Sequence, residues 1–273
     1  MSDDKKALKK GNQTAMATYD YGDDAGAGAE NRTSEDVQLS FLSLLQSNSP
    51  ACTEGGEEFV EGAKPGLFMD SVSKEVLGKE LLFVPSTFIR KVMHWVPRDS
   101  GGGLIAQFET NDHFVLEEYK KAGARTGSTI QITDEKGRVT ELVPTVYLFG
   151  LVVLDDGARI QEFAISFFNT KLKTWRNWNS SLTRNLKKGQ QEPPFFANRV
   201  RLSSKLTPGK KGPYHSVVMG PWEGSIGQSL MAPDDPLYIL GKKLYDMTEA
   251  GQVSTVPEQQ ETQTVDNDGD GVL

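Results

Sequence analysis

The chain has 273 residues, a formal net charge of −7, a 37% hydrophobic share and one cysteine. That length suffices for one large domain or two small ones with a real core. No stretch approaches the ~20 apolar residues of a membrane span, and MSDDKKALKK lacks the apolar run of a signal peptide, so a soluble, cytoplasmic protein is expected. The lone Cys52 excludes a disulfide framework, and His94, His113 and His215 stand apart from it and from one another, so no zinc spacing exists.

Residues 1–33 (…GDDAGAGAENRT) are polar and aperiodic, which predicts a disordered segment. A short helix is expected next. Ser34 serves as cap, Val37, Phe41, Leu44 and Leu45 share a face, and Pro50 ends it. Residues 51–78 carry many turn residues and predict a long loop or a short hairpin.

From 79 to 168 the pattern is one of strands: KELLFVP, TFIRKVMHWV, LIAQF, STIQIT, RVTELV, TVYLFGLVVL and RIQEFAISFF, separated by DSGGG, DEKG and DDG. TVYLFGLVVL (145–154) is apolar on both faces and reads as a central strand, with Gly150 marking a bulge or bend.

Period then changes. At ~100° per residue, Leu172, Trp175, Trp178, Leu182 and Leu186 form one face of a helix over 170–188. Lys173, Arg176, Arg184, Lys187 and Lys188 form another. Strands follow at 195–204 and 214–219, and a last helix at 234–249. Residues 34–250 are thus expected to form one β-rich domain, and 251–273 a disordered acidic tail.

Charge is distributed unevenly along this plan. Residues 171–215 hold eleven basic residues against Glu192 alone, a net of +10 that leaves −17 for the rest. From Asp246 to Leu273 there are seven acids and no bases. A protein that holds single-stranded nucleic acid needs cations along the phosphates and flat rings for unstacked bases. In FFANRVRLSS, alternation places Phe195, Arg199 and Arg201 on one face, with Phe196, Val200 and Leu202 on the other. Phosphate contacts are expected from Lys173, Arg176, Arg184, Lys187, Arg199, Arg201, Lys205, Lys210 and Lys211. Phe195 and Tyr214 are the first stacking candidates, followed by Trp95 and Trp178. HWVPRDSGGG (94–103) offers a second surface, where three glycines permit close backbone approach.

The terminal DNDGDG begins like a calcium loop, but the chain ends before a twelfth-position Glu, so no metal is expected. Asp266, Asp268, Asp270, Val272 and Leu273 instead form an acidic tail with an apolar tip. Such a tail suits competition for the basic surface or a partner protein. No nucleophile elbow, P-loop or dinucleotide fingerprint is present, so neither an enzyme nor a cofactor is expected.

FLSLLQSNSP (41–50), EGAKPGLF (61–68), WVPRDSGGG (95–103), TKLKTWRNW (170–178) and PPFFANRVRLSS (193–204), together with the tail, resemble bacteriophage single-stranded DNA-binding proteins. The resemblance implies a role in DNA replication or recombination in the host cytoplasm. It also implies an OB-like barrel as the binding body; with the elements read above, the expected fold is mainly β (α+β), an OB-like antiparallel barrel with insertions, two or three helices and disordered termini. About ten strands are counted where a minimal OB barrel has five. A virion structural or assembly protein, a recombination or annealing factor and a metal-dependent nuclease are the alternatives.

Overall fold

The computed structural model describes residues 39–97, 100–134, 137–184, 191–209 and 212–253. All of them lie in a compact unit that begins at Gln38. The described residues form ten strands and three α-helices. The strands are β1 (Leu42–Leu44), β2 (Phe68–Asp70), β3 (Val76–Gly78), β4 (Glu80–Trp95), β5 (Leu104–Glu109), β6 (Ile130–Thr133), β7 (Val139–Leu154), β8 (Arg159–Phe168), β9 (Val200–Thr207) and β10 (Tyr214–Pro221). The helices are α1 (His113–Lys121), α2 (Lys171–Arg184) and α3 (Pro236–Glu249).

Two 16-residue strands, β4 and β7, form the spine of the molecule. They pair antiparallel along nearly their whole length, from Leu82–Val153 to Trp95–Glu141. At one end β9 pairs with β4 and β8 with β7; at the other end β5 and β6 take those places. β10 joins β9, giving the order β10-β9-β4-β7-β8 across the first half. All these pairings are antiparallel. The expected mainly β, antiparallel body with helices is therefore present.

Alternation along β7 explains its near-complete burial. Val146, Leu148, Val152 and Leu154 join Phe163, Ile165 and Phe167 of β8 in the main core, which α2 closes with Leu172, Trp175, Trp178 and Leu182. Tyr147 and Phe149 face the other way, against Met93 and Phe41. Leu151 meets Val84 and Leu244 of α3. α1 closes a smaller core with Val115 and Tyr119 over Val92, Ile130 and Leu142.

Gly150 answers a local need. The β4–β7 register shifts between Pro85 and Thr87, directly opposite Gly150, so the bulge sits in β4. A Cβ on Gly150 would run into the Phe83 ring and the Val84 carbonyl. The bulged Ser86 donates its hydroxyl to the Gly241 carbonyl of α3. Gly241 in turn lets α3 approach, since a Cβ there would lie 3.2 Å from Val84.

Between β8 and β10 no strand pairing occurs among the described residues, so no closed barrel is found. Other groups fill this seam. Phe41 bridges Ala164 of β8, the Gln46 side chain bonds the backbone of His215, and Thr174 of α2 donates to the Val217 carbonyl at 3.1 Å.

Three expectations need correction. The helix expected from Ser34 does not extend through 41–45: Leu42–Leu44 is β1, paired with β2. Phe41, Leu42 and Leu45 enter three different cores, a division that a strand edge permits and one helical face does not. Residues 34–38 lie outside the described set. The strand expected from Phe195 starts only at Val200, because Phe195–Ala197 form a 3-10 turn after two prolines that cannot donate to a ladder. Finally, α1 was not expected. Its signals were the Asp112 cap, which accepts from the Phe114 amide at 2.9 Å, and the i, i+4 pair Val115 and Tyr119.

Candidate nucleic-acid interface

The basic segment divides between two sides of the molecule. In β9, Val200 and Leu202 are fully buried in the core that α2 closes, so Arg201 and Lys205 project from the opposite face of the sheet. Both are exposed. On α2 the buried stripe faces that same core, which sends Lys173, Arg176 and Arg184 to solvent on the helix side. The described cations therefore do not line one groove.

Antiparallel register builds the outward face of the β9–β10 hairpin. Thr207 stands opposite Tyr214, Lys205 opposite Ser216, Ser203 opposite Val218 and Arg201 opposite Gly220. Arg201 and Lys205 are separated by about 14 Å on this face. Lys210 and Lys211, which fall between β9 and β10 in sequence, lie outside the described residues, as does Lys187.

Arg201 is held by three groups. Its guanidinium donates to Glu80 at 3.0 Å and to the Trp222 carbonyl at 2.7 Å, and lies 5.0 Å from the centroid of the Trp222 ring. Arg199 pairs with Glu223 at 3.1 Å and reaches the Gln228 carbonyl at 3.4 Å. Lys205 has no ion-pair partner among the described residues. On the helix side Arg176 donates to the Gly127 carbonyl at 3.1 Å.

The expected stacking residues fare unequally. Phe195 is not beside Arg201 on an outward strand face. Its ring packs under α2, 6.0 Å from Trp175 and 5.8 Å from Phe88, because the 3-10 turn redirects it inward. Trp178 is 4% exposed and belongs to the same core. Tyr214 is half-buried at the open end of β10. Trp95 is half-buried at the end of β4, packed on the Met93–Tyr147 cluster, away from the hairpin cations. Tail residues Asp266, Asp268, Asp270, Val272 and Leu273 lie outside the described set; the last described residue, Val253, packs against the Phe41–Tyr147 and Val84–Leu244 clusters.

Sequence reasoning missed Trp222. The run GPWEGS places an aromatic residue immediately after a strand among turn residues, where a ring is readily left half-exposed. It also missed Glu80, which no local pattern can join to Arg201 across 121 residues.

These features define an antiparallel, mainly β body that carries a mixed cationic and aromatic outer face. By sequence, residues 9–254 match the family model described as Pam3 phage gp34-like protein, and the chain belongs to that family. The family description points to a phage protein. No curated protein and no solved structure matches. Among the described residues no helix is long and apolar enough to cross a membrane, and no cluster of His, Cys, Asp or Glu is suited to a metal.

Proposed function

We propose that this phage protein binds single-stranded DNA without reading its sequence, and performs no chemical step on it. The observation that carries the reading is the outward face of the β9–β10 hairpin, which Arg201, Lys205 and Tyr214 share and at one end of which Arg201 lies over the Trp222 ring. Cations supply phosphate contacts, and the two rings supply surfaces for bases. Lys210 and Lys211 extend the same hairpin in sequence. Arg201 and Arg199 each hold a carboxylate in the free protein, so phosphates bind there by exchange with Glu80 and Glu223.

Strand order supports the reading. β4, β7 and β8 form a meander, α2 fills the long return, and β9 lies beside β4, which is the Greek-key order 4-1-2-3. An OB fold is a five-stranded, partly open Greek-key barrel, and β10 provides the fifth strand. On this view β1–β3 and the β5–α1–β6 excursion are insertions, and the seam between β8 and β10 is the opening. The acidic tail competes for the hairpin cations and, once displaced by DNA, is free for replication or recombination partners.

Titrating the protein with oligo-dT while following tryptophan fluorescence, at several salt concentrations, tests the proposal. Saturable binding at about 50 mM salt that weakens steeply as salt rises is expected. Absence of binding there, or affinity indifferent to salt, overturns it; stronger binding to duplex favours a packaging role instead.

A further inference from the structure

A cavity of about 760 Å³ opens beside the seam between β8 and β10, away from the residues assigned to DNA. Phe41, Leu44, Ile165, Phe168 and Val217 give it apolar walls, and Ser43 contributes a polar point. Glu57, Glu58 and Lys74 line it from exposed loops, and Ser71 and Ser166 add polar groups.

One cation enters this setting from α2. Lys171, the first residue of that helix, is half-buried and lines the cavity, with its ammonium 5.1 Å from the centroid of the Phe168 ring. It has no ion pair and no hydrogen bond to any described residue, and Glu57 and Glu58 do not reach it. Every other described cation of the 171–215 segment is either exposed or ion-paired. Burial lowers the Lys171 ammonium to about 8, so it remains largely charged at neutral pH without a counter-ion. Its place at the positive end of α2 adds to the local demand for an anion.

Apolar walls with one half-buried cation set against them form the arrangement that orients an amphiphilic ligand. The chemistry of that point narrows the choice. Of the two lysines that line the cavity only Lys171 is half-buried, and one such ammonium satisfies one carboxylate, whereas a phosphate dianion calls for a guanidinium fork or several donors. The carboxylates of Glu57 and Glu58 oppose a second negative charge on the ligand.

We propose that this cavity binds a small monocarboxylic acid with an apolar body, its carboxylate on Lys171 and its hydrocarbon among Phe41, Ile165, Phe168 and Val217. The site is independent of the DNA-binding reading and stands or falls separately.

Calorimetric titration of the full chain with octanoate provides the test, with 1-octanol as the uncharged probe. Octanoate is expected to bind about tenfold more weakly to Lys171→Met, and to within about threefold of wild type for Lys171→Arg. 1-Octanol should bind wild type no better than octanoate binds Lys171→Met. As a second readout, trinitrobenzenesulfonate at pH 7.5 should label Lys171 ahead of exposed lysines, and octanoate should protect it in peptide mapping. No octanoate binding, equal affinity for wild type and Lys171→Met, or labelling of Lys171 unaffected by octanoate each overturns the proposal. Thermal melts of both variants confirm that they fold.

Discussion

The Gln46 side-chain amide bonds both backbone groups of His215: it donates to the carbonyl at 2.9 Å and accepts from the N–H at 2.8 Å. A side chain thus stands where a neighbouring strand would pair with β10. An unpaired edge is a template for another chain, and this contact, with Thr174 on the Val217 carbonyl, blunts it. Gln46→Leu should destabilise the fold by about 2 kcal/mol, since it leaves two backbone groups without partners. Urea unfolding measures this, and sedimentation should show new self-association. Unchanged stability would mean that water replaces the amide without loss.

The pairing of Arg201 with Glu80 allows a test with a gain rather than a loss. Glu80→Gln releases the guanidinium, so oligo-dT affinity should rise. Arg201→Ala and Lys205→Ala should weaken binding evenly across sequences, each lowering the salt slope by about one. If Glu80→Gln weakens binding, the hairpin face is not where phosphates lie.

Removing 254–273 leaves the described body intact and takes away an acidic segment rich in Glu and Asp. Affinity for oligo-dT should increase, most at low salt, where charge competition is least screened. An affinity unaltered at every salt concentration removes the tail from the mechanism.

Gly150→Ala places a methyl group against the Phe83 ring and the Val84 carbonyl. A loss of about 3 kcal/mol is expected, because the β4 bulge cannot move without disturbing Ser86 and Gly241. Thermal unfolding reads it directly. Gly157→Ala, in the β7–β8 turn with nothing within 4 Å, is the control for backbone strain alone, since its φ is +97°.

Lys171 also makes a pH prediction. Its ordinary value of 10.5 is lowered to about 8 by burial, so between those values the unfolded chain binds more protons than the folded one. Its contribution to stability therefore rises with pH across that window, and its cost is fully present below pH 8. Lys171→Met should be the more stable protein at pH 7, by about 1 kcal/mol, with the gap closing towards pH 10.5. Denaturant midpoints at pH 7, 9 and 10 check the trend; a gap independent of pH contradicts it.

Much of the architecture is carried by local pattern. Alternation and β-branched content mark the strand segments from β4 to β8, although β4 and β7 each join two runs that the sequence reading separates, and the helical period with buried Trp175 and Trp178 marks α2. These signals are local because strand and helix periods decide which side chains share a face. The β-rich class, the central place of β7 and the uneven charge all follow from sequence. Tertiary structure decided the rest. Leu42 and Leu44 fit a helical spacing as well as a strand, and only pairing with Phe68–Asp70 selects the strand. Phe195 leaves its expected face because Pro193 and Pro194 delay the ladder, and a pocket beside Trp175 accepts the ring. Arg199 and Arg201 are clustered by sequence, but their acids, and the ring over which Arg201 lies, come from elsewhere in the chain. Alternation along β9 against a core closed by α2 then sends strand cations and helix cations to different sides. A run of charge in sequence specifies how much positive potential is present; the direction in which it points depends on what each element buries.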